Sequence, residues 1–421
     1  MPFMQWVHAR IENIPGSTEK PRHSCGGFVA GGERSALRNR IAFISTMGGA
    51  SWGGSEELWS RTALRLAAEG YPVCASLNAS SPPHQRALQL IEHGIEVWFR
   101  PTRYPLWQKA RRALTAPQKT PTALEVERFF SARPPGLVVF SDGGPFPPIE
   151  LIEMCRERRL PFVTLGHAND ESWWPDDGMA ARYRTSLAAA LRCYFVSNAS
   201  RWLAEKQIGC ELPKAEIVWN PFNVDFHTSP AWPQAGRNGE LRFACVGRLV
   251  PSAKGQDVLF EALAQPPWTK RPWRLHLYGD GPMRGGLERL AKRLALSDRI
   301  VFEGHVAAPK IWASNHVLVM PSRIEGLPLA VVEAMLSGRP VVVTDVAGNA
   351  EIVEDGITGF LANAPTADGI GDALERFWAR RDEASEIGAA ASKRIRQLVP
   401  PDPVSIFSEK IKGVVDTAQE V

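Results

Sequence analysis

Two carboxylates eight positions apart, Glu325 and Glu333, stand in the run Ser322-Arg-Ile-Glu-Gly-Leu-Pro-Leu-Ala-Val-Val-Glu-Ala-Met-Leu-Ser-Gly-Arg-Pro340. Apolar residues 317–320 before it read as a buried parallel strand, Gly338 and Pro340 as a helix stop, and 341–343 as the start of the next strand. Glu325 therefore lies in a Gly/Pro-containing turn at the carboxyl end of a strand, where open α/β sheets bind ligands. Glu333 lies in the first turns of the following helix, beside backbone N–H groups that attract anions. Acceptors on either side of such a terminus suit a ligand with hydroxyls at both ends and phosphates between, such as a nucleotide-sugar. Taken alone, the same pair would describe a turn glutamate and a solvated helix glutamate. Its neighbours favour the first reading.

Gly247-Arg248-Leu-Val-Pro-Ser-Ala-Lys254-Gly255 joins the first strand of the second half to a helix. Arg248 and Lys254 thus leave one strand-to-helix loop, over the same crevice as the Glu325 turn. A guanidinium and an ammonium there can neutralise a diphosphate, the first bidentately and the second as a point charge. A second loop, Tyr278-Gly-Asp-Gly-Pro282, offers close backbone approach at Gly279 and Gly281, which could equally be plain turn glycines. In the first half, residues 48–55 form a glycine-rich loop containing Gly53 and Gly54, where backbone N–H groups can face an anion. It matches neither the P-loop nor G-x-G-x-x-G. His167 leaves a buried strand at its carboxyl edge, placed either for substrate contact or as a structural strand cap. Residues 220–225 read as a crossover turn.

The elements that must position these groups follow from alternation. The 421 residues, 44% apolar and 22% charged, have the composition of an ordinary globular protein of two or three domains. From residue 40, short apolar runs alternate with helical patterns, the signature of βαβ units and parallel sheets. The expected strands are 41–44, 72–75, 95–98, 137–140, 162–165 and 193–196, then 241–246, 274–278, 300–302, 317–320 and 341–343. The fold class is α/β, two Rossmann-like doubly wound domains facing each other across a cleft. Its expected parts are a flexible extension at 1–38, an acceptor-side domain at 39–225, a Pro/Gly-rich linker at 226–240, a donor domain at 241–400, and a C-terminal helix at 401–421 packing back on the first domain.

Together these residues resemble the retaining glycosyltransferases of GT-B fold, most closely the family 4 group (glycosyl transferases group 1), over residues 40 to about 400. The resemblance is carried by Glu325 and Glu333 within Pro321-Ser-Arg-Ile-Glu-Gly-Leu-Pro-Leu-Ala-Val-Val-Glu-Ala-Met, by the Gly247–Gly255 loop, by Gly326 and Gly338-Arg-Pro340, and by Glu351-Ile-Val-Glu-Asp-Gly356 with Gly359. It implies that Glu325 holds donor-sugar hydroxyls, Glu333 the nucleotide ribose, and Arg248 and Lys254 the diphosphate. It places His167 near the reacting sugar, and Gly53 and Gly54 toward phosphate and acceptor. Gly326, Leu327, Leu329, Ala330 and Gly279 complete the implied donor site. Proline stands at 328 where the family more often has glycine, so phosphate contacts there would fall to Leu329 and Ala330.

The activity so implied is hexosyl transfer, with retention, from a UDP-, GDP- or ADP-sugar to a glycan, lipid-linked or small-molecule hydroxyl. The chain has no Asp-x-Asp motif, so metal-independent turnover and no cofactor are expected. A sugar-nucleotide epimerase or inverting transferase of the same fold is the nearest rival; a catalytically silent donor-binding protein is the next. A dehydrogenase lacks its G-x-G-x-x-G. A net charge of +4 is too mild to argue for nucleic acid. Six cysteines without a C-x-x-C pair, no apolar stretch of roughly 20 residues, and a start without a basic-then-apolar leader point to a cytoplasmic chain. Residues 98–119 carry Arg100, Arg103, Lys109, Arg111, Arg112 and Lys119 among aromatics and no acid. Such a segment suits peripheral contact with the inner face of a membrane, or equally a solvated face or a loop over the acceptor cleft. Trp173-Trp174 and Asp176-Asp177, in the loop after His167, fall within reach of an acceptor.

Overall fold

The computed structural model describes residues 40–48, 52–102, 120–234 and 236–419. The first lobe is built on β1 (Ile41–Ser45), β2 (Val73–Asn78), β3 (Glu96–Arg100), β4 (Leu137–Asp142), β5 (Phe162–Gly166), β6 (Arg192–Phe195) and β7 (Ala215–Ile217). They form one parallel sheet in the order β3-β2-β1-β4-β5-β6-β7. The second lobe has β8 (Leu241–Val246), β9 (Trp273–Tyr278), β10 (Ile300–Gly304), β11 (Val317–Met320), β12 (Val341–Thr344) and β13 (Gly359–Ala362), parallel in the order β10-β9-β8-β11-β12-β13. Helices cover both faces of each sheet, which is why the central strands read as unbroken apolar runs: every residue of β1, β5, β11 and β12 is buried.

In both sheets the strand order reverses beside the first strand, between β1 and β4 and between β8 and β11. A crevice opens at the carboxyl ends of such a pair. In the second lobe that point lies between the loop after β8 and the turn after β11, which carry Arg248, Lys254 and Glu325. All eleven expected strands are present, and two more were missed. β7 is only Ala-Glu-Ile, half-buried throughout. β13 opens on Gly359, where a side chain would come within 2.6 Å of the Val341 carbonyl oxygen; the cramped approach that demands glycine also weakens the apolar signal.

The chain crosses from β7 of the first lobe to β8 of the second, and the crossover is pinned by a buried cation. Arg339, 2% exposed, gives hydrogen bonds to the carbonyls of Trp312 (Nη2, 2.7 Å) and Ala231 (Nη2, 2.8 Å). Desolvation lowers its pKa to about 10. After the second lobe the helix Pro403–Gln419 returns to the first. It buries Phe407, Ile411, Val414 and Val415 among Ile41, Phe43, Trp59 and Tyr194, and Lys412 pairs with Glu69.

Replacing Arg339 with methionine keeps its bulk but strands the Trp312 and Ala231 carbonyls. Stability should fall by roughly 2–4 kcal/mol, seen as a thermal midpoint several degrees lower; an unchanged midpoint would show that the guanidinium pins nothing.

Candidate active site

The acid turn is held from behind by backbone. After β8, one helical turn (Pro251–Lys254) ends at Gly255, whose left-handed φ of 64° and close approach to Pro321 admit only glycine. A Cβ there would stand 2.0 Å from the Pro321 carbonyl oxygen. This docking brings the N–H groups of Arg323 and Ile324 onto the Ala253 carbonyl, at 2.8 and 3.1 Å. The Arg323 guanidinium then grips Asp257 bidentately (2.7 and 2.9 Å) and the Pro251 carbonyl (2.6 Å). In consequence Lys254 Nζ meets Glu325 Oε1 at 2.5 Å, with Glu325 buried. Arg248 leaves the same loop with its side chain exposed, and among the described residues its guanidinium forms no ion pair. The close approach at Gly279 is to the Gly247 carbonyl (2.3 Å from a Cβ), and its N–H is committed to Gly304 O at 2.7 Å.

The first lobe closes on this turn from the front. The carbonyl oxygen of His167 lies 1.5 Å from where a Cβ on Gly326 would sit, so residue 326 must be glycine. Beside it the Asn169 N–H donates to the Glu325 carbonyl at 3.3 Å. His167 is buried; its Nε2 lies 3.2 Å from Ser141 Oγ, and its Nδ1 has no hydrogen-bond partner among the described residues. Desolvation pushes its pKa down to about 3, so at neutral pH it is an uncharged imidazole with one polar atom unsatisfied. Gly54 approaches the helix Leu329–Leu336, its Cβ position 3.4 Å from Leu329 Cδ1. Leu329 and Ala330, after Pro328 as N-cap, supply that helix's unpaired first-turn N–H groups. Leu327 is buried among the apolar side chains beneath. Gly49, Ala50 and Ser51 of the glycine loop lie outside the described residues.

Glu333, also buried, faces the end of the first half. Its Oε1 accepts from the backbone N–H of Asn223 (2.8 Å) and from Asn223 Nδ2 (3.0 Å). Asn223 Oδ1 in turn accepts from Arg61 Nη2 at 2.6 Å, and Arg61 pairs with Glu57. Burial raises the Glu333 pKa to about 7 despite the Asn223 hydrogen bonds and the nearby Arg61. So the Glu325 turn, with Lys254 on it, meets the first lobe at His167, the helix that carries Glu333 meets it at Gly54 and Asn223, and Arg248 leaves the loop that carries Lys254.

Sequence reasoning missed three groups and misplaced a fourth, Arg100, which it counted in the basic surface segment although the residue is 1% exposed. Asn223 read as part of a plain crossover turn. Glu56, in the first turn of the helix Gly54–Ala68, is 2% exposed and accepts from Ser45 Oγ and Trp59 Nε1, both at 3.0 Å; burial raises its pKa to about 7. Asp142 ends β4, accepts from Thr46 Oγ1 and the Gly144 N–H, and is raised to about 6 by desolvation. Arg100 runs from β3 under the glycine loop to Ser76 Oγ (2.8 Å) and the Ser45 carbonyl. A polar residue closing an apolar strand was the available signal for Asp142 and Arg100; Glu56 had none. Trp173 packs on Phe146 and Tyr183 in the first lobe, and Asp176 caps the helix Asp177–Leu187 through the Met179 N–H. Glu351, within the matched 351–356 run, caps the helix Asn198–Ile208 across the lobes through the N–H groups of Asn198 (3.1 Å) and Ala199 (2.7 Å). Of the basic segment, residues 103–119 lie outside the described residues.

The profile of glycosyl transferases group 1 matches residues 240–380, the second lobe. A GDP-mannose-dependent alpha-(1-6)-phosphatidylinositol monomannoside mannosyltransferase of Mycobacterium tuberculosis is 31% identical over 216 residues, covering 47% of this chain and 54% of that protein. The alpha-D-kanosaminyltransferase of Streptomyces kanamyceticus is 34% identical over 135 residues, 31% of this chain and 35% of that one. The chain thus spans about half or less of the length of these relatives. Among solved structures, HepE of Anabaena in complex with UDP superposes with a TM-score of 0.66 at 21% identity, covering 90% of this chain and all of that one. Sucrose-phosphate synthase of Thermosynechococcus elongatus gives 0.68 at 19%, again covering 90% of this chain and all of that one. The architecture is the GT-B fold, two Rossmann-like parallel-sheet domains.

The buried acid under the glycine loop gives a pH test. The folded pKa of Glu56, about 7, exceeds its ordinary 4.5, so its contribution to stability is present below about pH 4.5 and is lost as pH rises through 7. Glu56→Gln mimics the protonated acid. Relative to the parent it should gain up to about 3 kcal/mol between pH 5 and 8, read by urea unfolding at both values. A pH-independent difference would mean the carboxyl is solvated.

Proposed function

We propose that this protein is a retaining, family 4-type hexosyltransferase. It moves a sugar from a nucleotide-diphosphate sugar to a hydroxyl of a glycan, lipid-linked or small-molecule acceptor, without a metal ion. The observation that carries the reading is the contact of Lys254 with Glu325 at the switch point of the second lobe, with Arg248 leaving the same loop. Cations stand there for a diphosphate and an acid for sugar hydroxyls. A donor with GDP or UDP agrees with what is named for the mycobacterial relative and for the HepE complex; ADP-sugars fit the same chemistry.

In this mechanism the bond between the anomeric carbon and the phosphate oxygen breaks, leaving positive charge on the sugar and negative charge on the phosphate. Arg248 and Lys254 meet the charge as it develops, where preorganised cations lower a barrier most. The Leu329 and Ala330 N–H groups at the helix start add to that grip. Glu325 holds the sugar's hydroxyls and Glu333 the ribose. His167, neutral, offers an imidazole nitrogen to the reacting sugar, and Gly53 and Gly54 leave room for phosphate and acceptor. The acceptor oxygen bonds to the anomeric carbon on the face the phosphate leaves, and its proton passes to a phosphate oxygen. No carboxylate nucleophile is required. Buried free thiols at Cys74, Cys155, Cys193 and Cys245 support residence in a reducing cytoplasm. No helix among the described residues is long and apolar enough to cross a membrane; Trp98 and Phe99 pack on the core and Arg100 is buried, so peripheral seating on its inner face falls to residues 103–119 and rests on their sequence.

A thermal-shift screen with UDP-, GDP- and ADP-sugars identifies the donor, since a ligand at a hundred times its dissociation constant adds about 2.7 kcal/mol. With that donor, Lys254→Ala and Glu325→Gln should each lower kcat roughly 10²–10³-fold with the fold intact. Turnover should persist in a chelator, and the product should keep the donor's anomeric configuration. Transfer near the parental rate by either variant would refute the assigned roles.

A further inference from the structure

Glu333 reaches the cleft with only one of its oxygens committed. Both contacts from Asn223 fall on Oε1, and among the described residues nothing hydrogen-bonds Oε2. Asn223 belongs neither to the second lobe's sheet nor to its helices; it sits in the segment that leads out of the first lobe. Its side chain can serve Glu333 in one sense only. The amide oxygen accepts from Arg61 at 2.6 Å, which turns the amide nitrogen, the donor, toward the acid. Arg61 is itself fixed on the first lobe's helix Gly54–Ala68. Its Nε lies 2.8 Å from Glu57 Oε2, and Glu57 Oε1 accepts from Trp52 Nε1 at 2.9 Å. A continuous chain thus runs from Trp52, in the glycine loop, through Glu57, Arg61 and Asn223 to the acid of the opposite lobe.

We propose that Asn223, oriented by Arg61, is a positioning residue for nucleotide recognition: it holds Oε1 of Glu333 so that Oε2 is presented to the ribose hydroxyls. The inference rests on the reading that Glu333 receives the ribose. It adds that the second lobe's nucleotide affinity is set partly by first-lobe side chains, so the ribose is gripped fully only when the lobes stand as they do here. The chain also governs ionisation. Hydroxyl donors are best met by the carboxylate, and two N–H donors with the Arg61 charge favour that form against burial. The charged groups facing Glu333 are Arg61 and Glu57, both from the helix Gly54–Ala68.

Isothermal titration with UDP or GDP, and separately with inorganic pyrophosphate, tests this on the full chain at pH 6 and 8. Pyrophosphate engages Arg248 and Lys254 but has no ribose. Asn223→Asp should weaken nucleoside diphosphate binding roughly tenfold to a hundredfold, the worth of a hydrogen bond to a charged group, and leave pyrophosphate binding unchanged. Parental affinity should rise with pH as Glu333 ionises near 7. In the aspartate variant two facing acids share a proton, so that rise should move to higher pH. Arg61→Met should weaken the nucleoside diphosphate alone, and Glu333→Gln should abolish the pH dependence. Variants that bind the nucleoside diphosphate like the parent, with the same pH midpoint, overturn this inference alone; so does an equal loss of both ligands, the mark of a merely structural role. A parent that binds neither ligand overturns the donor reading and this inference with it.

Discussion

The carbonyl of His167 occupies the space that any side chain at position 326 would need, and the cleft depends on that backbone contact. It seats the end of one lobe's strand on the other lobe's acid turn with nothing between. The turn is already fixed from its own side by the Ala253 carbonyl and the Arg323–Asp257 pair, and Thr344 Oγ1 reaches the Ser322 carbonyl at 2.5 Å. Gly348 completes the seat: its N–H donates to the Gly326 carbonyl at 2.9 Å, and a Cβ there would meet Leu327 and Ser197. With main chain clamped on both faces, the Glu325 side chain has little freedom left. Preorganisation of this kind distinguishes a site from a surface carboxylate that meets a lysine.

The electrostatics follow from the same burial. Glu333, Glu56 and Asp142 are pushed toward their neutral forms, and so is His167, from the opposite direction. The pair Lys254–Glu325 is internally balanced, which leaves Arg248 with the helix N-terminus at Leu329 and a half-titrated Glu333. The cleft is therefore biased toward anions without holding many charges. A buried ion pair is poor evidence of stabilisation, because desolvation offsets most of its attraction. On the proposed reading, Lys254 and Glu325 exchange part of their mutual attraction for a ligand's phosphate and hydroxyls.

Legibility in the sequence tracked how local each determinant was. Buried parallel strands announced themselves as apolar runs, and the parallel α/β class with its two wound halves followed. β7 and β13 escaped, the first for want of length and the second because a cramped approach put glycine where a strand former would stand. The loop positions of Glu325, Lys254 and Arg248 were legible because each lies at the carboxyl end of a strand in a loop with its own glycines. Asn223, Glu56 and Glu351 were not, because their meaning resides in partners far along the chain: Glu333, Ser45 and the N-terminus of the Asn198–Ile208 helix. No local pattern distinguishes an asparagine in a turn from one that clamps a buried acid 110 positions away.

The two kinds of contact between the lobes differ in how they respond to opening. On the cleft side the hydrogen bonds are few: Glu351 on the Asn198 and Ala199 N–H groups, Asn169 on the Glu325 carbonyl, Asn223 on Glu333, beside the packing of Val196 against Gly326 and Leu327. Water can replace each of these hydrogen bonds at a net cost of roughly 0.5–3 kcal/mol. Behind the cleft, the helix Pro403–Gln419 buries four large apolar side chains in the first lobe's core, and water has no substitute for that packing. Separating the lobes would thus cost less per contact at the front, where hydration replaces the hydrogen bonds, than behind, where the apolar seam would be exposed. A ligand bridging Glu333, the 247–255 loop and the glycine loop would add its contacts on the front face, and so would favour this arrangement of the lobes by whatever it gains there.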